Sequence, residues 1–238
     1  MIKLKQLLLE STAPDIFIPR RMEDRIERLI KQYIRNGSQG NLNLSYMNLT
    51  VLPEILKNVS VDGDFDCSNN KLTSLKNAPS IVVGSFYCRH NKLTTLAGSP
   101  SSVVKFFDCT YNDLTSLEGS PISVGGTFNC TSNKLTSLKG SPVSVGVDFW
   151  CDSNKLTSLE GSPSSVGRHF SCIDNKLTTL KGSPSSVGRH FSCRYNRLKS
   201  LDGAPKFVGG DFNCSCNTVQ FTNAQVRAVC DVKRYIHV

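Results

Sequence analysis

Hydrophobic and polar positions recur along most of this chain with a period of twenty-one residues, in the pattern L-x-x-L-x-x-x-P-x-x-V-x-x-x-F-x-C-x-x-N-x. Copies in register begin at Leu72, Leu93, Leu114, Leu135, Leu156, Leu177 and Leu198, and a looser one begins at Leu49. Each contains Phe two residues before Cys, from Phe65 and Cys67 to Phe212 and Cys214. Residues two apart share one face of a strand, so F-x-C predicts a short strand with Phe and Cys inward and the residue between them outward. One such strand cannot bury its face alone. Stacked at about 4.8 Å per repeat, the Phe, Cys, Val and Leu columns merge into one linear core, in which stability is a sum over neighbouring repeats.

The asparagine closing each unit, Asn70 to Asn217, falls where the chain turns off the strand, and its amide can satisfy backbone groups that the turn leaves unpaired. The return segment, GSPVSVG in one copy, is too short and too rich in Gly and Pro for a helix, so an extended or irregular outer wall is expected. The predicted fold is a β-rich solenoid with one curved parallel sheet on the concave face and a helical cap at each end. Its divisions are a leader at 1–17, a capping helix within 18–40, the solenoid at 41–219 and a C-terminal cap at 220–238. In the first cap, Met22, Ile26, Leu29, Ile30, Tyr33 and Ile34 share one helical face, and Asn36-Gly37 supplies the stop. Leu42 to Leu52 reads as a divergent first repeat, with Met47 in the asparagine place. At the far end, Thr222 to Val232 predicts a short helix started by Thr222 or Asn223.

The segment FxCxxNxL matches the LxLxxNxL strand signature of leucine-rich repeats, with Phe and Cys in the leucine places. LTSLxGSP resembles the short repeats of bacterial effector leucine-rich-repeat proteins, with about one extra residue before the Phe and Cys where those proteins favour Val or Leu. The resemblance spans Leu42 to Val219 and implies the fold; for function it implies a binding module. Effector-type repeats are sometimes followed by a ubiquitin-ligase domain with a catalytic cysteine. The expectation for this chain is that none follows and that Cys230 is a buried cap residue. At the other end, Leu8-Leu9-Glu10 before Ser11 is similar to the head-targeting leaders of T-even-like tailed phages. That similarity implies phage origin, cleavage after Glu10, and a place in the virion or the host cytoplasm. The same residues also read as an ordinary first helical turn.

Ten cysteines could suggest metal or disulfides, yet eight hold one inward position at the repeat period, and Cys214-Ser215-Cys216 lacks zinc-site spacing. A row of small apolar thiols is expected, suited to a reducing cytoplasm, with no cofactor. The short apolar run near the N-terminus ends at Glu10, short of a signal-peptide core, and no stretch is apolar enough to cross a membrane.

Function is sought where the repeats differ. GSP hardly varies, whereas the outward strand positions vary sharply. Tyr87, Phe106, Tyr111 and Trp150, the only tryptophan, are large aromatic groups expected on the concave face. Charge there looks segregated. Asp64, Asp66, Asp108, Asp148 and Asp152 lie toward the N-terminal and central part. Arg168, His169, Arg189, His190 and Arg194 lie toward the C-terminal part, and Arg89 and Tyr195 complete the set. The pattern predicts a partner protein of mixed charge. Net charge of +9 and a row of Lys71, Lys92, Lys134, Lys155, Lys176 and Arg197 support the alternative of nucleic acid, or of an acidic ligand on the Arg-His pairs. Asp113 interrupts that row. No nucleophile elbow, phosphate loop or paired-carboxylate pocket is legible, so an enzyme is not expected.

Overall fold

A computed structural model describes residues 20–238, with side chains from residue 24 onward. The leader at 1–17 with Leu8-Leu9-Glu10, the start of the first cap at Ile18 and Pro19, and the Met22 side chain lie outside the described residues. Each coil of the chain donates one two-residue strand to each of two parallel sheets. A ten-stranded sheet runs from Leu42–Asn43 through the Phe-x pairs to Ile236–His237, and a nine-stranded sheet from Ser60–Val61 to Asp231–Val232. Consecutive coils lie in register: Phe149 is opposite Phe128 and Phe170, and Trp150 opposite Asn129 and Ser171. The return segment is extended, as its Gly and Pro content predicts, and more regular than expected. Its Ser-Val pairs alternate outward and inward, so Ser144 is exposed while Val145 is buried, and the outer wall becomes the second sheet.

Between the sheets, the residue columns predicted from the period are buried. The phenylalanine rings form an unbroken ladder from Phe65 to Phe212, with neighbouring centroids between 5.1 and 5.5 Å apart. That spacing follows from strand separation and lies within the favourable range for offset rings. Nine of the ten cysteines are buried and all are free; Cys216 is exposed. The thiols from Cys67 to Cys193 donate to a carbonyl of the next coil, as Cys151 Sγ does to Ser171 O at 3.2 Å. Burial pushes the Cys214 and Cys230 thiols up to about 11 and also raises those from Cys67 to Cys193.

The asparagines tie coil to coil. Asn133 Oδ1 accepts the Leu114 N–H at 3.0 Å, while Nδ2 donates to Cys109 O, Cys130 O and Thr131 O at 3.0, 3.1 and 3.3 Å. The same set recurs from Asn70, whose Oδ1 takes the amides of both Met47 and Leu49, to Asn217. At the opposite bend, Gly140 has φ +86°, and a Cβ there would lie 2.6 Å from Glu118 N of the preceding coil, so glycine is required on both counts.

Helix α1 (Arg20–Arg35) places Ile26, Ile30 and Tyr33 in the core at the N-terminal end. Ile34, expected on the same face, is 40% exposed, because the buried stripe follows 26, 30 and 33 and leaves 34 at its rim. Gly37 at φ +73° ends the helix, with Ser38 N bonded to Tyr33 O and Gly37 N to Ile34 O. The C-terminal helix is shorter than expected. Helix α2 (Asn223–Val229) starts at Thr222 in a reciprocal capping box with Gln225, and Cys230 is already extended at φ −141°. Asp231–Val232 and Ile236–His237 then supply the last strand of each sheet, so this end is a further coil with a helix inserted in it.

Candidate functional site

Three outward rows cross the ten-stranded sheet: the residue before each Phe, the residue between Phe and Cys, and the residue after Cys. In the middle row, Asp and Asn side chains turn back on their own strand. Asp66 Oδ1 accepts Ser68 N at 2.8 Å, Asp108 Oδ1 accepts Thr110 N at 3.0 Å, and Asn129 and Asn213 do the same for Thr131 and Ser215. In the row before Phe, the acceptor reaches the next coil. Asp64 takes Ser85 N at 2.7 Å, Asp148 takes His169 N at 3.0 Å, and His190 Nδ1 takes Asp211 N at 2.9 Å. Asp152 accepts both Ser171 Oγ at 2.6 Å and Ile173 N at 2.7 Å, and burial still raises its pKa despite these bonds. The expected acidic surface is therefore corrected. Its carboxylates serve the backbone, and Asp108 and Asp148 are only 5% and 8% exposed.

Where these rows carry aromatic residues the acceptor is lost and the rings meet each other. Tyr87 stacks on Phe106 at 6.0 Å, and Phe106 meets Trp150 edge-on at 6.4 Å, although Trp150 lies two coils further along. All three are half-buried by mutual contact. Tyr111 does not join them. It occupies the turn that leaves the strand, is 55% exposed, and stacks on His90 at 4.4 Å with rings 6° apart.

The Arg-His group separates into two. Arg168 and Arg189 are exposed on the loops entering the strands, beside a His169–His190 stack at 4.7 Å. Gly188, Arg189, His190, Gly209, Gly210 and Arg234 line a shallow hollow of about 280 Å³. Burial, opposed by Asp148, holds His169 below the usual imidazole range. Arg194 lies four residues further along the strand direction, about 13 Å away at 3.3 Å per residue. There its guanidinium covers the Tyr195 ring at 4.5 Å. Arg89 approaches Asp108 at 3.9 Å.

The row after the asparagines is exposed at Lys71, Lys92, Lys134, Lys155, Lys176 and Arg197, and Asp113 is paired with Lys134 at 2.6 Å. Two features escaped the sequence reading. Glu118, Lys139, Glu160, Lys181 and Asp202 stack at another turn with alternating sign, pairing Lys139 with Glu118 at 3.9 Å and Lys181 with Glu160 at 3.2 Å, and Ala97 separates this run from Lys76. The residue before each repeat asparagine is left-handed, including His90, Tyr111 and Tyr195 at φ +52°, +52° and +54°. The first was present in the sequence as charge alternation at the repeat period. The second had no residue-type signal, because Asn, His, Tyr, Ser, Asp and Cys all occupy the position.

One strand per coil in an in-register parallel sheet, a phenylalanine spine and an asparagine ladder define a leucine-rich-repeat solenoid. Among solved structures, the leucine-rich-repeat domain of a Shigella effector matches with a TM-score of 0.57 at 20% identity, over 93% of this chain and 91% of that one. YopM from Yersinia enterocolitica WA-314 gives 0.43 at 20% identity, over 87% of this chain and 53% of that one. YopM from Yersinia pestis gives 0.38 at 19%, over 83% and 71%. The Shigella match shows a shared fold. No protein-family profile and no curated protein matches the chain. Among the described residues, no helix is long and apolar enough to cross a membrane.

Proposed function

We propose that this chain is a non-enzymatic recognition module that binds a partner protein on the outer face of its ten-stranded sheet, the expected concave side, through Tyr87, Phe106 and Trp150. One observation carries this reading. At these three positions the fold gives up backbone acceptors that Asp66, Asp108, Asn129, Asp64 and Asp148 provide at equivalent places, and receives in return a strip of touching, half-exposed rings. A surface shaped only by folding has no use for that exchange. Aromatic residues bring large contact area at low side-chain entropy cost, which suits a protein hot spot. Arg89, Asp152 and Ile173 flank the strip, and the Arg168, His169, Arg189, His190 group at the entry edge supplies the cationic side of a mixed-charge footprint. The Shigella neighbour is described as an effector domain. A corresponding role here is binding a factor of another cell's cytoplasm, and a phage-encoded protein acting on its host is the finer form of that reading.

Trp150 is the only tryptophan, so its emission reports directly on the site. Capture from nuclease-treated lysates of bacterial and of eukaryotic cells should yield a discrete protein. That protein, once purified, should change Trp150 emission and be lost with Phe106→Ser. A protein retained equally by wild type, Trp150→Ala and Phe106→Ser would remove the strip from the account.

A further inference from the structure

The two turns of each coil carry charge in opposite ways. Both rows repeat at about the same 4.8 Å spacing, so like charges in consecutive coils repel equally in either. From Glu118 through Lys139, Glu160 and Lys181 to Asp202 the signs alternate in consecutive coils, with Lys139 paired to Glu118 and Lys181 to Glu160, while Ala97 separates them from Lys76. On the flank that follows the asparagines they do not: Lys155, Lys176 and Arg197 are exposed cations in consecutive coils, and Lys71 and Lys92 form a second run. Lys199, two residues beyond Arg197, adds another exposed cation. In this row and at the position two residues before it, the acidic groups are Asp113, paired with Lys134, and Asp174, which accepts Ser153 Oγ at 3.0 Å; Asp152 lies close to Asp174 and is bonded to Ser171 and Ile173. The row from Lys71 to Arg197 spans six coil intervals, about 29 Å.

The left-handed turn gives a second, independent observation on the same flank. Two residues before each of these cations, and likewise before Asp113 in the same row, the backbone has φ near +55°, within about 7 Å along the chain. Asn69, Ser132, Ser153 and Asp174 fill that position with small polar groups. His90, Tyr111 and Tyr195 fill it with rings, in a conformation that bulky side chains adopt at a cost. The Tyr111 and Tyr195 side chains gain no core burial, being 55% and 50% exposed.

We infer that this flank is a track for single-stranded nucleic acid, independent of the protein-binding strip, in which the Lys/Arg file follows the phosphates and His90, Tyr111 and Tyr195 stack on bases. A single file of cations follows one backbone, and the ring faces not taken by the His90–Tyr111 stack or by Arg194 over Tyr195 need bases free of a duplex. Asp113 places a gap in the file beside Tyr111, so the strand is held by two basic runs on either side of an aromatic contact.

The test uses the full chain and a fluorescent oligothymidylate of about twenty nucleotides, with inorganic polyphosphate as the competitor lacking bases. With about five cations engaged, log K should fall against log salt with a slope of about −3.5. Lys155→Glu/Lys176→Glu/Arg197→Glu should weaken binding by more than about tenfold and flatten that slope to about −1.5. His90→Ser/Tyr111→Ser/Tyr195→Ser introduces the residue already present at Ser132 and Ser153, so the coil is kept. It should weaken oligothymidylate by roughly tenfold per engaged ring and leave polyphosphate competition unchanged. Circular dichroism checks that each variant remains folded. Absence of binding at low salt, ring variants that bind oligothymidylate as wild type does, or loss of binding with Trp150→Ala would each overturn the assignment.

Discussion

Replacing one asparagine of the ladder isolates what joins the coils. In Asn133→Ala, the Leu114 N–H loses its acceptor in a site that is 8% exposed, and Leu114 itself is fully buried. An unsatisfied buried donor costs about 1–3 kcal/mol. The carbonyls suffer less, since Cys109 O keeps the amide of Asn112 and Cys130 O keeps that of Asn154. With the cavity added, we expect a loss of about 2–4 kcal/mol. Asn133→Asp sharpens the test. Its carboxylate retains the acceptor for Leu114 but turns a second oxygen toward Cys109 O and Cys130 O, where the wild-type amide donates. Burial and those carbonyls raise its folded pKa above the unfolded value of about 3.9. The native state then binds more protons than the unfolded state between the two pKa values, so the variant loses stability with rising pH, by about 1.4 kcal/mol per unit through that window. Urea unfolding of both variants and wild type, followed by far-ultraviolet circular dichroism at several pH values, reads these differences. Asn133→Ala within about 0.5 kcal/mol of wild type, or Asn133→Asp with a pH-independent deficit, would refute the ladder as the joint between coils.

Phe149→Ala interrupts the ring ladder between Phe128 and Phe170, each 5.4 Å away, and should cost about 3–5 kcal/mol in the same assay, with Phe149→Leu losing less. Gly140→Ala combines a left-handed φ with a backbone clash at 2.6 Å and should lower the unfolding midpoint well beyond what Lys139→Ala does at the exposed neighbouring position. Thiol titration of the native chain at mildly alkaline pH should show one fast group, Cys216, and none in Cys216→Ser; eight or more fast groups would contradict the buried thiol column.

The solenoid was legible because burial repeats with the coil: Phe and Cys at one parity announce a strand whatever lies beside it. What the outward residues do was less legible, since it depends on the adjacent coil. Asp148 reads as a surface charge until the His169 N–H is found beneath it. Arg194 reads as a neighbour of Arg189 until the strand carries it to the opposite flank. Similarly, Val229 to Val232 continues a plausible helical pattern, but the last coil offers Asp231 and Val232 a partner strand in Phe207–Val208, and pairing there ends the helix.

The in-register stacking also makes each coil a unit of length. Removing twenty-one residues from Leu135 to Lys155 joins Lys134 to Leu156, puts Asn133 in the place of Asn154 and leaves every downstream contact type in place, whereas removing twenty shifts each later side chain to the wrong wall. Unequal exchange between near-identical segments of the coding sequence could thus shorten or lengthen this protein in steps of about 4.8 Å while keeping it foldable. The aromatic strip is the part such exchange would not preserve. Tyr87, Phe106 and Trp150 come from three different coils, and one coil added between Phe106 and Trp150 would pull the rings apart within an intact scaffold.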